Sequence, residues 1–322
     1  MKLGVFMVLF GDKSREDALD DIAQQGLQCV EIGTGGYPGK AHCDPALLLS
    51  DASELRKFAH QISSRGLEIS ALSCHGNPMH PNPLIAQQFH DDFVATVRLA
   101  AELGVKTVNT FSGCPGESEH SENPVWVTCS WPEEHARVLE WQWSEKVIPY
   151  WTKQNIFLKE QGVRVAIELH PGFVAYNTET MLRLRSECGD AIGVNFDPSH
   201  LFWQAMDPVS SIKELGRQGA IFHVHAKDTA IDAHNTAING VLDTKSFRDE
   251  MNRSWIFRTV GYGHGEVVWR QILSALQLVG YQGAVSIEHE DSLMSREEGF
   301  QKAVHFLQSM LIKEQVQDVW WS

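Results

Sequence analysis

This chain is short of cations: 27 Lys and Arg stand against 41 Asp and Glu in 322 residues, for a formal net charge of −14 at pH 7. Nucleic-acid readers concentrate Lys and Arg against phosphates, so the balance argues against a phosphate-backbone partner. It equally disfavours an anionic membrane surface. No apolar run approaches the roughly 20 residues that a membrane span needs. The opening MKLGVFMVLFGDKS lacks a small-residue cleavage site after its apolar run and reads as a first strand, not a signal peptide. The six cysteines (Cys29, Cys43, Cys74, Cys114, Cys129, Cys188) show no CxxC and no paired spacing. That suits free thiols in a reducing cytosol and excludes a disulfide framework or a cysteine zinc site, so a cytoplasmic location is expected. Cys74 adjoins His75, but nothing nearby in sequence orients the two as nucleophile and base.

What is present is ample core, with 43% apolar and 21% charged residues, and a repeated alternation of strand and helix signals. Strands are expected at 3–9, 27–33, 67–73, 105–111, 163–169, 191–196, 220–224 and 284–287. Helices are expected at 14–25, 50–65, 87–103, about 132–161, 178–187, 208–218, 267–279 and 295 to about 315. Gly26, Gly66 and Gly104 each follow a helix as candidate C-caps. Eight βα units imply a parallel sheet closed into a (β/α)8 barrel, one domain over residues 1–322. An open doubly wound sheet fits less well, because no GxGxxG follows the first strand. Two connections are long, 112–131 and 227 to about 266, and both follow strands, which places them on the catalytic face. The second carries Trp255, Phe257, Arg258, Tyr262 and His264 in a Gly-rich stretch. It is expected to cover the active site, with Arg258 gripping a polar substrate group. The C-terminal Val319, Trp320 and Trp321 suggest a packed tail or a subunit contact, in a homo-oligomer or with a partner subunit.

Four late strands end abruptly in polar residues: VAIELHPG, GVNFDPSH, IFHVHAKD and AVSIEHED. Strand positions two apart share a face, so Glu168 pairs with His170, His223 with His225, and Glu288 with Glu290. Asp197 closes its strand and Pro198 stops it. In a parallel barrel these ends converge on one mouth. Carboxylates with an imidazole make a hard, oxygen-rich set for one divalent ion: Mn²⁺ first, with Mg²⁺, Co²⁺ or Zn²⁺ also fitting. Such an ion polarises a carbonyl while a carboxylate removes the neighbouring proton, and sugars offer that grouping. His75 and Asn77 in SCHGNPMHP, and Asn109 in VNTFSG, are candidate substrate contacts from earlier strands, as is His170.

ExHPG, NFDPSH, HVHAKD and SIEHED together resemble the xylose-isomerase-like barrel superfamily, over nearly the whole chain. The resemblance to ketose 3-epimerases implies Glu168, Asp197, His225 and Glu288 as ligands of one divalent metal. It gives Glu168 and Glu288 a second role as acid and base, and makes His200 a substrate contact. Two departures stand out. The epimerases carry an Arg six residues after the metal His, where this chain has Ile231. HAKD instead resembles inosose dehydratases and places Lys227 near the metal. The segment with NGVLDT and FRTVGYGHG also resembles barrel subunits that cleave oxidised glycosides. The implied function is a metal-dependent sugar isomerase or epimerase. The alternatives are a lyase on 3-keto-glycosides, including C-glycoside deglycosidase-type activity, and a non-catalytic sugar-binding or scaffold barrel. The expected partner is a small sugar or glycoside.

Overall fold

Eight strands pair edge to edge into a closed parallel barrel in a computed structural model describing residues 1–314 and 321. The strands are β1 (Lys2–Phe6), β2 (Cys29–Gly33), β3 (Glu68–Ser73), β4 (Thr107–Phe111), β5 (Arg164–Glu168), β6 (Ile192–Phe196) and β7 (Ile221–Ala226). A short pair, β8 (Asp228–Ile231) and β9 (Trp255–Arg258), precedes the last barrel strand, β10 (Ala284–Ile287). Neighbours follow sequence order until β7, which pairs with β10, and β10 closes on β1. This is the expected (β/α)8 architecture. Between strands run α1 (Arg15–Gln24), α2 (Pro45–Ser50), α3 (Ala52–Ser63), α4 (Pro83–Leu103), α5 (Glu133–Trp141), α6 (Ile148–Gln161) and α7 (Thr178–Cys188). After them come α8 (Pro198–Phe202), α9 (Pro208–Arg217), α10 (Ala233–Asn239), α11 (Glu266–Leu278) and α12 (Arg296–Gln308). No described helix is long and apolar enough to cross a membrane.

Helix ends follow local chemistry. Gly26, Gly66 and Gly104 all adopt left-handed φ, as their place after a helix requires. The helix expected at 50–65 is broken at Asp51, whose carboxylate accepts from the Ser53 and Glu54 N–H groups and starts α3 afresh. An N-cap of this kind contributes about 0.5–2 kcal/mol. The first strand stops at Phe6 because Met7–Phe10 wind into a 3-10 turn. The expected helix at 132–161 is continuous but passes through one π-helical stretch, Gln142–Val147. The last helix ends at Gln308, and Val319 and Trp320 lie outside the described residues.

Trp143, Trp151 and Trp269 are fully buried between the barrel and its helices. Each burial of such a ring removes roughly 150–250 Å² from water. The loop 112–131 carries no regular element. Gln142 ties it down by donating to the carbonyls of Pro115, Gly116 and Val125. Asn77 exchanges hydrogen bonds with Cys114 in the same loop and is outside the lining of the cavity described below.

The second long connection, read as a loop from sequence, is an organised excursion. β8 and β9 pair antiparallel, Asp228 opposite Arg258 and Ile231 opposite Trp255. Trp255 stacks on Trp203 with ring centroids 4.5 Å apart. Asp228 anchors the base by accepting from the N–H groups of Thr229, Gly261, Gly263 and His264, from His264 Nδ1 and from Trp269 Nε1.

Candidate metal centre

The C-terminal ends of β5, β6, β7 and β10 bring Glu168, Asp197, His225 and Glu288 together, with one ligand atom of each within 4.8 Å of the rest. Glu168 is the last residue of β5, followed by the Pro171–Gly172 turn, where φ is +94° at the glycine. Asp197 caps α8: its Oδ1 accepts from the Ser199 N–H at 2.8 Å, leaving Oδ2 toward the cluster. His225 lies on β7 with its ring stacked on Phe6, centroids 5.8 Å apart.

Asp197 Oδ2 and Glu288 Oε2 are buried and accept no hydrogen bond. Lys227 Nζ stands 3.1 Å from the first and 2.7 Å from the second, close enough for charge but off hydrogen-bond alignment. Buried carboxylate oxygens without a bonded partner are costly, and a cation removes that cost. Three carboxylates with one imidazole are the donor set a divalent ion takes, so the residues fit such an ion.

Burial alone would raise the Glu168 carboxyl. Hydrogen bonds from His200 and His225, with the charge of His225, outweigh it and hold Glu168 well below the usual range. Burial likewise opposes ionisation of Glu288, but Lys227 and His225 bring it down to about 2. Desolvation disfavours a charged His225, yet Glu31, Glu288 and Glu168 raise it well above its ordinary value. Desolvation also works against the Lys227 ammonium, which Asp197 and Glu288 keep charged.

A cavity of about 160 Å³ opens onto this cluster, lined by His75, His170, Glu168, Lys227 and Glu288, with Tyr37 and Phe111 as its aromatic walls. That is below the ~300–1,000 Å³ of sites for drug-sized ligands and suits a compact molecule. Larger space, about 540 Å³, lies at the N-terminal ends of the strands, between Lys2, Glu68 and Arg164. Barrel enzymes carry their chemistry at the opposite face.

The structure brings most of the expected residues to the mouth. His200 Nε2 lies 3.2 Å from both Glu168 Oε1 and Asp197 Oδ2. His75 Nε2 lies 3.0 Å from Glu168 Oε2. Half-buried His170 faces Phe111 and His200; burial first, and then the His200 charge, pushes it down to about 3. Lys227 also reaches Glu290 at 3.1 Å and is not the partner of Asp228.

Two expected contacts lie elsewhere. Asn109 is wholly buried in the barrel, donating to Glu31 Oε1 at 2.9 Å. Arg258 donates to Asp291 Oδ2 at 3.0 Å and lies along Tyr262, outside the lining of the cavity. The excursion instead offers Phe257, whose ring meets His200 edge-on at 5.4 Å and lies 4.7 Å from Lys227 Nζ. Ile231, where the epimerases have Arg, is exposed at the far end of β8.

His223 sits deeper than His225, with Nδ1 3.0 Å from Asn195 Oδ1. Asn195 in turn donates to Glu168 Oε2 at 3.2 Å. Glu31 on β2 escaped the sequence reading. Its one signal is a carboxylate within the apolar run CVEIG. It is fully buried beneath His225, whose Nε2 lies 3.0 and 2.9 Å from its two oxygens. Burial pushes the Cys74 thiol up to about 12, which works against a role as nucleophile.

Residues 19–310 match the family described as xylose isomerase-like TIM barrel. The chain belongs to that family. Among similar proteins, the uncharacterized protein YfiH of Bacillus subtilis (strain 168) is 36% identical over 314 residues, 97% of this chain and 99% of that one. The rhizopine catabolism protein MocC of Rhizobium meliloti is 33% identical over 133 residues, 41% of this chain and 38% of its own. Of solved structures, the IOLI protein with a bound zinc atom superposes with a TM-score of 0.65 at 19% identity, covering 97% and 98% of the two chains. A D-psicose 3-epimerase solved in the presence of D-fructose gives 0.61 at 14%, covering 97% and 99%. Likenesses at these identities establish the barrel fold.

Proposed function

We propose that this xylose isomerase-like barrel is a divalent-metal-dependent sugar isomerase or epimerase, in which a carboxylate removes a proton α to a substrate carbonyl. The observation that carries the reading is the convergence of Glu168, Asp197, His225 and Glu288, with two carboxylate oxygens left without hydrogen bonds. A zinc atom in the IOLI structure and sugar epimerases among the structural neighbours support it. When bound, the ion supplies Lewis-acid polarisation of the carbonyl; Mn²⁺ is the expected occupant, with Mg²⁺, Co²⁺ or Zn²⁺ as alternatives.

Glu168 and Glu288 both border the cavity and both stay ionised, so either can accept the carbon-bound proton. Isomerisation would be completed when the same carboxylate returns its proton to the neighbouring carbon while the hydroxyl proton passes to the former carbonyl oxygen; epimerisation would need the second carboxylate to relay a solvent proton to the opposite face of the carbon. His200 and His75 hold Glu168 from two sides, and Asn195 holds it from below. Phe111, Tyr37 and Phe257 limit water at the mouth.

Lys227 favours a second reading. It is an ammonium 2.7 Å from Glu288 and it borders the cavity. After proton removal, transfer of an ammonium proton to a β-oxygen would let that oxygen leave as an alcohol, making the protein a lyase on 3-keto-glycosides.

Turnover of a panel of keto-sugars and 3-keto-glycosides with Mn²⁺ in D₂O separates the two. Isomerase or epimerase action yields an isomer that carries solvent deuterium beside the carbonyl, or shows direct internal proton transfer. Elimination releases the aglycone. Neither outcome on any member, with metal bound, would leave a non-catalytic barrel.

A further inference from the structure

We propose that Glu31 is a positioning residue: it holds a proton on Nε2 of His225 and so turns Nδ1 toward the metal. The inference rests on the reading of His225 as a ligand.

The two imidazole nitrogens face different surroundings. Nδ1 lies 3.1 Å from Glu288 Oε2 and 3.3 Å from Glu168 Oε2, within the ligand cluster. Nε2 points the other way, 2.9 Å from Glu31 Oε2. An ionised carboxylate only accepts, so the nitrogen facing Glu31 carries a hydrogen. Without a metal Nδ1 carries one too, facing Glu168 and Glu288, and it is this second proton that a divalent ion would displace, while Glu31 keeps the first on Nε2. A ligating imidazole is commonly oriented by a carboxylate in this way, and loss of that partner costs about 10–100-fold in metal affinity.

Glu31 is itself held rigidly. Ser73 Oγ donates to Oε1 at 2.6 Å, Asn109 Nδ2 donates to Oε1 at 2.9 Å, and Ser286 Oγ donates to Oε2 at 2.8 Å. Three strands besides β2 and β7 therefore converge on one carboxylate. Irregular pairing aims it: between β2 and β3 the register runs Val30 to Ile69 and then Glu31 to Ala71, skipping Ser70. Such irregularities re-aim side chains near active sites. Glu31, His223 and His225 could by distance hold a separate ion. Against that alternative, both Glu31 oxygens already accept hydrogen bonds, and His223 Nε2, the nitrogen nearer Glu31, also lies 3.4 Å from Ser70 Oγ.

The test compares Zn²⁺ dissociation constants, by chelator competition, for wild type, Glu31→Gln and His225→Ala. Gln keeps the length and one acceptor but removes the charge. Zn²⁺ binding should weaken about 10–100-fold in Glu31→Gln, with circular dichroism unchanged. In the Zn²⁺-loaded wild type, nitrogen-15 NMR should find the His225 proton on Nε2, hydrogen-bonded and shifted downfield, and less shifted in the variant. If Glu31→Gln does not fold, Ser286→Ala, which removes one donor to Oε2, should weaken Zn²⁺ in the same direction by a few-fold. An unchanged dissociation constant in a folded Glu31 or Ser286 variant, or a proton on Nδ1 in the loaded protein, would overturn the inference. Undiminished binding by His225→Ala would instead overturn the ligand reading beneath it.

Discussion

Lys227 Nζ lies 2.7 Å from Glu288 Oε2, and the same ammonium stands between Asp197 and Glu290. This buried cation, together with His225, thus offsets a cluster of like charges that would otherwise repel. Lys227→Met should leave those carboxylates uncompensated and destabilise the metal-free protein by about 3–5 kcal/mol, the usual effect of removing one partner from a buried pair. Added Zn²⁺ or Mn²⁺ should restore much of the loss, because a divalent ion supplies the missing positive charge. Thermal unfolding with and without metal checks this. Equal melting temperatures for wild type and variant in chelator would contradict it.

Asp197 divides its labour between its two oxygens, Oδ1 capping α8 and Oδ2 facing the cluster. Asparagine caps helices as well as aspartate does. Asp197→Asn should therefore fold with wild-type stability in chelator, yet bind metal at least ~10-fold more weakly, the smallest loss seen on removing even an outer partner. Isothermal titration with Mn²⁺ reads this directly. Retained affinity would remove Asp197 from the ligand set.

Asp243 gives the excursion a pH dependence. Burial opposes its ionisation, but hydrogen bonds from the Lys245 and Ser254 N–H groups prevail and bring its pKa down to about 2. In the unfolded chain the value is about 3.9. A depressed folded value means that the stabilisation, on the order of 2 kcal/mol, is complete above about pH 4 and disappears as pH falls through about 2. The stability gap between wild type and Asp243→Asn, from urea unfolding, should accordingly be widest near neutrality and close in acid. A gap that grows toward pH 2 would refute the assignment.

Cys129 is exposed while the other five cysteines are buried. Burial also pushes the thiols of Cys29, Cys43, Cys74 and Cys114 up to about 12, so almost no thiolate forms there at neutral pH. One equivalent of a thiol reagent should react quickly with the native protein, and the Cys129→Ser variant should show no fast phase. Two or more fast equivalents would show that the barrel opens locally.

The barrel was legible because apolar runs alternate with helical patterns eight times over, a signal that survives reading one segment at a time. The mouth around Glu168, Asp197, His225 and Glu288 was legible because four late runs end abruptly in polar residues, while the choice of these four among their neighbours came from the family resemblance. Glu31 was not. It interrupts the run CVEIG, and only the closed barrel brings Ser73, Asn109 and Ser286 from other strands to meet it. Asn109 was legible as a polar residue in a buried strand, but its direction depends on that same convergence. Arg258 showed its charge in the sequence, whereas its partner Asp291 lies 33 residues further on. β8 and β9 were hidden because each is only four residues long, and residues 232–254 separate the two.

The six donors gathered by Asp228 have an evolutionary consequence. They clamp both feet of the excursion beside β7, so residues 232–254 hang from a fixed frame rather than pulling on His225 or Lys227. Lengthening such a hanging segment is cheap: each doubling of a flexible loop costs only about 0.6 kcal/mol in closure entropy. Descendants of this barrel could therefore exchange the outer excursion, and with it Phe247, which stacks on Phe257, while the polar strand ends at the mouth stay in place. New substrates could be acquired there without rebuilding the chemistry.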